Sequence, residues 1–258
     1  MVLFLPAMVK AEHPSSVAEP YQPTWESLSR YRAPDWYRDA KFGIWAHWGP
    51  QAVPMQGDWY ARHMYEEGSD VYKAHLREYG HPSEHGYFEI LRSWKVDKWD
   101  PDRLMGLYKA AGAKFFVSMG VHHDNFDLWD SKFHRWNAVN EGPHRDIVGE
   151  WAAAARRQGL KFGVSEHLGA SYTWWAVSKS ADKSGPMKGV PYDGNDPNLQ
   201  DLYHPLPQPD DKDWYTKNEA WHSEWYLRVN DLVSHYKPDL LYSDGGVPFG
   251  SYGLRTVA

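Results

Sequence analysis

Four times in this chain an apolar run of strand length stops abruptly in a cluster of polar or ionisable side chains. The runs are Phe42-Gly43-Ile44-Trp45-Ala46-His47-Trp48-Gly49, Lys114-Phe115-Phe116-Val117-Ser118-Met119-Gly120-Val121-His122-His123-Asp124, Lys161-Phe162-Gly163-Val164-Ser165-Glu166-His167, and Leu240-Leu241-Tyr242-Ser243-Asp244 followed by Gly245-Gly246. Near-continuous apolar runs mark parallel strands buried on both faces, and such strands carry their chemistry at their C-terminal ends. Asp244 is the sharpest case, because a carboxylate where a buried strand opens into a glycine turn is held rigidly and can approach a ligand. One such aspartate alone is equally well explained as a turn residue bonding its own backbone. Repetition at four strand ends favours a shared rim with one pocket.

Parallel strands need crossovers of a dozen or more residues, and helical signals lie where they are required. Asp100-Pro101-Asp102 starts one helix, with Leu104, Leu107, Tyr108 and Ala111 at helical spacing until Gly112. A second runs from Asp146 to Gln158, with Ile147, Trp151, Ala154 and Ala155 as its inner stripe and Arg156-Arg157 complementing the dipole. A third runs from Asn218 to Tyr236, with Trp221, Trp225, Leu232 and Val233 available to a core. The expected fold is therefore α/β, a (β/α)8 TIM-like barrel of which about four βα units are legible. A complete barrel takes roughly 250 residues, and this chain has 258, so long insertions at 51–99 and 169–214 must occupy the balance; loops of that length on a catalytic face usually shape or cover a site. With no fifth strand or capping element read in residues 250–258, the expectation is an N-terminal portion of a longer protein. Residues 1–35 are then an N-terminal extension and 36–258 a partial catalytic barrel with two open strand edges.

The formal net charge of -6, with no basic run longer than a pair, argues against a nucleic-acid partner. No apolar stretch approaches a membrane span. Val2 to Val9 is a short greasy opening, but it lacks a basic flank and Pro6 interrupts it, so it reads as a frayed terminus rather than a complete signal peptide. Zero cysteines excludes disulfides, thiolate metal sites and cysteine nucleophiles, which suits cytoplasm and bacterial periplasm equally.

Aromatic residues make up 16% of the chain, including 15 Trp and 17 Tyr, and many of them must be core, packing being the better reading for each Trp taken singly. Several tryptophans stand beside polar candidates, as in His47-Trp48, Asp58-Trp59-Tyr60 and Phe126-Asp127-Leu128-Trp129. A sugar ring packs its C–H face on an indole while its hydroxyls need carboxylate, imidazole and amide partners, so as a set these residues favour a saccharide.

An ordered series of motifs then resembles one known family. Tyr37-Arg38-Asp39-Ala40-Lys41-Phe42-Gly43-Ile44-Trp45-Ala46-His47-Trp48-Gly49, Gly57-Asp58-Trp59-Tyr60, Trp99-Asp100-Pro101, Ala110-Ala111-Gly112-Ala113-Lys114, His122-His123-Asp124-Asn125-Phe126, Arg145-Asp146-Ile147-Val148-Gly149-Glu150 and Leu241-Tyr242-Ser243-Asp244-Gly245-Gly246 look like glycoside hydrolase family 29, the α-L-fucosidases. The resemblance runs from about Trp36 to the end. It implies a retaining exo-glycosidase on a (β/α)8-like barrel acting on terminal α-L-fucosyl residues of a fucosylated oligosaccharide or glycoconjugate, without a cofactor, in a periplasmic or secreted setting. By position it makes Asp244 the nucleophile. His47, His122 and His123 match residues that bond fucose hydroxyls, and Trp59 matches a sugar-contacting aromatic. Asp58 stands where glutamate is common, and Tyr242 where tryptophan is frequent. Around Ser165-Glu166-His167 the family often has tyrosine; alternation lets only one of Glu166 and His167 point inward, and the residues leave open which.

Retaining hydrolysis needs a second carboxyl roughly 5 Å from the first. In the family it follows the nucleophile at a distance that would fall beyond Ala258, and Glu166 is a poor stand-in because the resemblance gives it a sugar-binding place. Two other readings remain. A non-catalytic sugar-binding barrel needs no acid/base, whereas a metal-dependent hydrolase would use His47, His122, His123, Asp124, His167 and Asp244 as ligands. Adjacent histidines rarely chelate one ion together, and no His-x-His or His-Glu-x-x-His pattern is present, so no metal is assigned.

Overall fold

The computed structural model describes residues 21–258. The apolar opening at 2–9 and the first part of the expected N-terminal extension lie outside the described residues. In chain order the helices and strands are α1 (Trp25–Leu28), α2 (Asp35–Ala40), β1 (Gly43–Ala46), α3 (Tyr60–His63), α4 (Asp70–Glu78), α5 (Tyr87–Ser93), α6 (Pro101–Ala110), β2 (Phe115–Val121), α7 (Ile147–Arg157), β3 (Lys161–Glu166), α8 (Ser171–Trp174), α9 (Gln200–Tyr203), α10 (Glu219–Tyr236), β4 (Leu240–Ser243) and α11 (Ser251–Val257). The strands form one sheet in the order β1-β2-β3-β4, every pair parallel.

Each crossover helix starts where a side chain caps it. Asp100 accepts from Arg103 N–H at 2.9 Å, Asp146 from Gly149 N–H at 2.8 Å, and Asn218 from Ala220 and Trp221 N–H at 3.0 and 3.3 Å, satisfying donors that a helix start otherwise leaves unpaired. Gly112 and Gly159 follow α6 and α7 at φ of 98° and 69°, a left-handed conformation that costs glycine little. The outer face of the sheet packs on these helices: Phe116 meets the Tyr108 ring at 5.8 Å and the Trp151 ring at 4.8 Å, and Phe162 and Val164 are fully buried beside it.

Three details differ from the sequence reading. In α6 the buried residues are Pro101 and Met105, with Leu104 and Tyr108 half-buried, whereas Leu107 is 52% exposed and Ala111 is exposed as well; the stripe runs 101, 104, 105 and 108, at i, i+3, i+4 and i+7. Residues 251–257, read as carrying no further element, form α11, which packs against α10 through Tyr252 and Tyr226 at 5.8 Å. The insertion at 51–99 contains three helices rather than plain loop.

Among the described residues β1 and β4 each have one neighbour, so the sheet has two open edges; on its inner face Val117, Met119 and Ser165 of the central strands are buried. Trp45 and Tyr242 meet there edge to face at 4.7 Å and remain 42% and 39% exposed. A hollow of about 490 Å³ lies over this face at the N-terminal half of the strands, between Phe115, Leu240, Trp36 and Tyr37. It is mainly apolar and lies at the opposite end of the strands from the histidine cluster.

Candidate active site

Register explains how four separated segments meet. Gly43 to Ala46 pair with Phe115 to Ser118, and Ser165 and Glu166 pair with Tyr242 and Ser243. The ladder continues one step past the strands: His167 N–H donates to Val121 O at 3.1 Å and Asp244 N–H to Glu166 O at 3.0 Å. His167 and Asp244 are therefore neighbours at the same level, while an irregularity between Met119 and Val121 re-aims the end of β2. His47, one residue past β1, and His122-His123, just past β2, complete the rim.

Around the Asp244 carboxylate, His167 Nδ1 lies 3.2 Å and His123 Nε2 3.8 Å from Oδ2, and the Tyr242 hydroxyl donates to Oδ1 at 3.2 Å. The Asp244 side chain is 41% exposed, reachable from solvent, whereas both imidazoles are buried. His47 packs its ring at 4.9 Å from both His122 and His167, and its Nε2 is 3.6 Å from Asp58 Oδ2. Trp59 stands edge-on to His123 at 5.9 Å. A cavity of about 330 Å³ opens beside Asp244 and His123, walled by Trp59, Trp174, Trp214 and Tyr215.

Between the two neighbours at the end of β3, the structure decides the orientation. His167 faces Asp244. Glu166 points the other way: its carboxylate is buried and accepts from Ser243 Oγ, Leu168 N–H at 2.9 Å and Trp225 Nε1–H at 3.1 Å. With three internal donors taken and 1% of its surface exposed, Glu166 is not placed to bond a ligand, contrary to its expected place among the sugar contacts. It fixes the tip of β4 instead. Burial pushes its carboxyl pKa up, against the lowering by Ser243.

Asp124, considered among the metal-ligand candidates, also leaves the rim: it accepts from Tyr87 Oη at 2.5 Å in the core, and burial raises its pKa to about 7. Of the three tryptophans read as sugar-facing, only Trp59 borders the cleft. Trp48 packs on Trp94 and Trp99 at 5.0 and 5.5 Å, and Trp129 is fully buried with its indole N–H on Asp231. Trp174, Trp214 and Tyr215 are cleft walls that the sequence did not single out; their only signal was membership in or next to the long 169–214 insertion.

Burial is the first cause of every histidine shift here. It lowers His122 well below the usual imidazole range, helped by repulsion from His123, His167 and His47. It lowers His123 against the opposing bond to the His167 carbonyl and the Asp244 charge, and it takes His167 to about 4 although Asp244 pulls upward. His167 is thus expected to stay neutral until about pH 4. Ring C–H chemical shifts followed through an acid titration check this: a midpoint at or above 6.5 would mean that the carboxylate, not burial, controls the ring.

Parallel strands joined by helices, with imidazoles and one accessible carboxylate at their C-terminal tips, define the (β/α)-barrel class of enzyme scaffold. The family model for α-L-fucosidase matches residues 8–252. The chain is 31% identical to rat tissue α-L-fucosidase over 227 residues, covering 87% of this chain and 42% of that protein, and 33% identical to an α-L-fucosidase of Branchiostoma floridae over 233 residues, covering 87% and 44%. The crystal structure of Thermotoga maritima α-fucosidase in complex with fucose superimposes with a TM-score of 0.70 at 30% identity, covering 92% of this chain and 52% of that one. The chain belongs to the α-L-fucosidase family. It spans about half the length of the relatives it matches.

Proposed function

We propose that this chain forms the nucleophile-bearing, sugar-binding part of a retaining exo-glycosidase that removes terminal α-L-fucosyl residues from glycans, with residues 36–258 as the catalytic portion and a fucosylated oligosaccharide or glycoconjugate as substrate. One observation carries the reading: a solvent-reachable Asp244 carboxylate lies 3.2 and 3.8 Å from two buried imidazoles at adjoining strand tips. In this mechanism an Asp244 oxygen attacks the anomeric carbon as the glycosidic C–O bond breaks, the leaving oxygen takes a proton from a general acid, and water then cleaves the covalent glycosyl-enzyme. His47, His122 and His123 offer ring nitrogens to the sugar hydroxyls, and Trp59 offers an apolar face. Asp58 adds an acceptor beside His47, and His167 with Tyr242 orients the nucleophile. The second carboxyl that retention requires is assigned to no residue of this chain, Glu166 being committed to Ser243, Leu168 and Trp225.

The test is stereochemical. An enzyme that includes this chain, given an aryl α-L-fucoside, is expected to release the α-anomer of L-fucose first, read by proton NMR before mutarotation. Initial release of the β-anomer would overturn the double-displacement reading. Saturable L-fucose binding without any turnover would favour a non-catalytic sugar-binding barrel.

A further inference from the structure

The rim holds more unused imidazole nitrogen than the hydrogen bonds account for. His123 Nδ1 bonds the His167 carbonyl and must carry its hydrogen, so Nε2 presents a lone pair. His167 Nδ1 faces the Asp244 carboxylate and carries its hydrogen likewise, and the remaining Nε2 is buried without a partner. His122 Nδ1 is also buried without a partner. One ring nitrogen from each of the three lies within 4.8 Å of the others, and the ring centroids are 4.7, 5.3 and 5.7 Å apart. Three rings around a tetrahedral ion with metal–nitrogen bonds of about 2.0–2.1 Å would have centroids roughly 5 Å apart, because each centroid sits about 1 Å behind its nitrogen.

We infer that His122, His123 and His167 form a three-histidine site for a borderline divalent cation, Zn2+ being the best match, which excludes the sugar when occupied. Adjacent histidines rarely share one ion, but past the end of β2 the His122 and His123 rings lie tilted at 57° with centroids 4.7 Å apart and one nitrogen of each within reach of the other and of His167, and three histidines with a fourth position left open are a known zinc donor set. Asp244 would serve it as the outer partner that fixes the His167 tautomer, the carboxylate–histidine–metal arrangement. The ion thereby engages the nucleophile without displacing it. The third imidazole is the particular feature here: tyrosine at position 167 would keep an aromatic ring and a donor for Asp244 but offer a far weaker metal ligand. A second grouping, His47, Asp58 and His122, shares one ring but relies on exposed residues. The mutual exclusion of ion and sugar rests on the fucose-binding reading above, whereas the metal site does not.

Isothermal titration of the chain with Zn2+ checks the site directly. One equivalent is expected to bind, and Co2+ in its place is expected to give the intense visible bands of a four-coordinate ion. His122→Ala and His167→Tyr should each weaken zinc binding by more than the roughly 10–100-fold that loss of an outer partner costs, with circular dichroism without metal showing that each variant is folded. Asp58→Asn should leave zinc affinity within about twofold. Absence of one-equivalent binding in the unmodified chain overturns the site, as does loss of binding in Asp58→Asn with retention in His167→Tyr. In a competition arm, L-fucose should raise the apparent zinc Kd in proportion to its concentration. Zinc binding indifferent to fucose that itself binds overturns the exclusion, while zinc binding to a chain that does not bind fucose at all refutes the sugar reading and leaves the metal site standing.

Discussion

Asp244→Ala is expected to abolish hydrolysis of an aryl α-L-fucoside by an active enzyme that includes this chain, with kcat falling on the order of 10⁴-fold or more, the scale seen when a nucleophile is removed from a group of residues acting together. The loss should be chemical rather than structural. The Asp244 side chain is 41% exposed, and it meets His123, His167 and the Tyr242 hydroxyl at a solvent-facing rim, so truncation leaves no sealed cavity and little reason to unfold. The same openness makes a rescue experiment decisive. A small anion such as azide or formate can enter the vacated space from solvent and attack the anomeric carbon, so added azide should restore part of the turnover and yield the fucosyl azide of inverted configuration. Substrate affinity should change much less than kcat, because the histidines and Trp59 remain. Unchanged turnover in the alanine variant would remove Asp244 from the chemistry altogether.

The strand tips were legible because each apolar run ends where its polar cluster begins, and parallel pairing leaves such ends little freedom. Burial of the central strands β2 and β3 leaves their register little freedom, β4 pairs along β3, and register brings His167 to Asp244. The helix starts were legible for a similar local reason: Asp100, Asp146 and Asn218 are short acceptors placed just before apolar stripes. What could not be read is decided at long range. Glu166 and His167 are equally polar neighbours, and only Trp225 and Ser243, far away in sequence, reveal which one the core claims. The same applies to Trp48 and Trp129, whose polar sequence neighbours suggested a cleft but whose rings pack inward. Trp174 and Trp214 reach the cavity on an insertion with no periodic pattern, and Tyr215 directly after it, so nothing local announced them.

The largest stability effect is expected at a helix residue that the sequence reading did not single out. Arg228 on α10 is fully buried and meets the fully buried Asp127 through two bonds, Nη2 to Oδ1 at 2.6 Å and Nε to Oδ2 at 3.2 Å; Nη1 donates to Asn125 Oδ1 at 2.7 Å. Asn125 in turn donates to the carbonyls of Asp201 and Leu202 at 3.0 and 2.9 Å. The cluster ties α9 and α10 to the loop that follows His122 and His123, so the rim depends on it. Replacing both members of a buried pair by apolar residues can be nearly neutral, but removing one strands the other. Arg228→Ala is therefore expected to cost about 3–5 kcal/mol, a fall in Tm of roughly 6–20 °C for a domain of this size.

The pH dependence identifies the cause of that loss. Burial already pushes the Asp127 carboxyl up to about 6 against the lowering by Arg228, and without the guanidinium it must rise further. A carboxyl held above its unfolded value contributes stability that is fully present below the unfolded pKa and is lost as pH rises through the folded one. The deficit of Arg228→Ala relative to the parent should therefore be largest near pH 8 and shrink toward pH 5, where Asp127 is protonated and no longer an uncompensated charge. Adding Asp127→Asn should recover part of the stability at pH 8 and little at pH 5. Denaturant unfolding of the parent, Arg228→Ala and the double variant at the two pH values measures all of this. A deficit under about 1 kcal/mol, or one independent of pH, would mean that the pair behaves as a solvated surface contact and that the His122-His123 loop is held by packing alone.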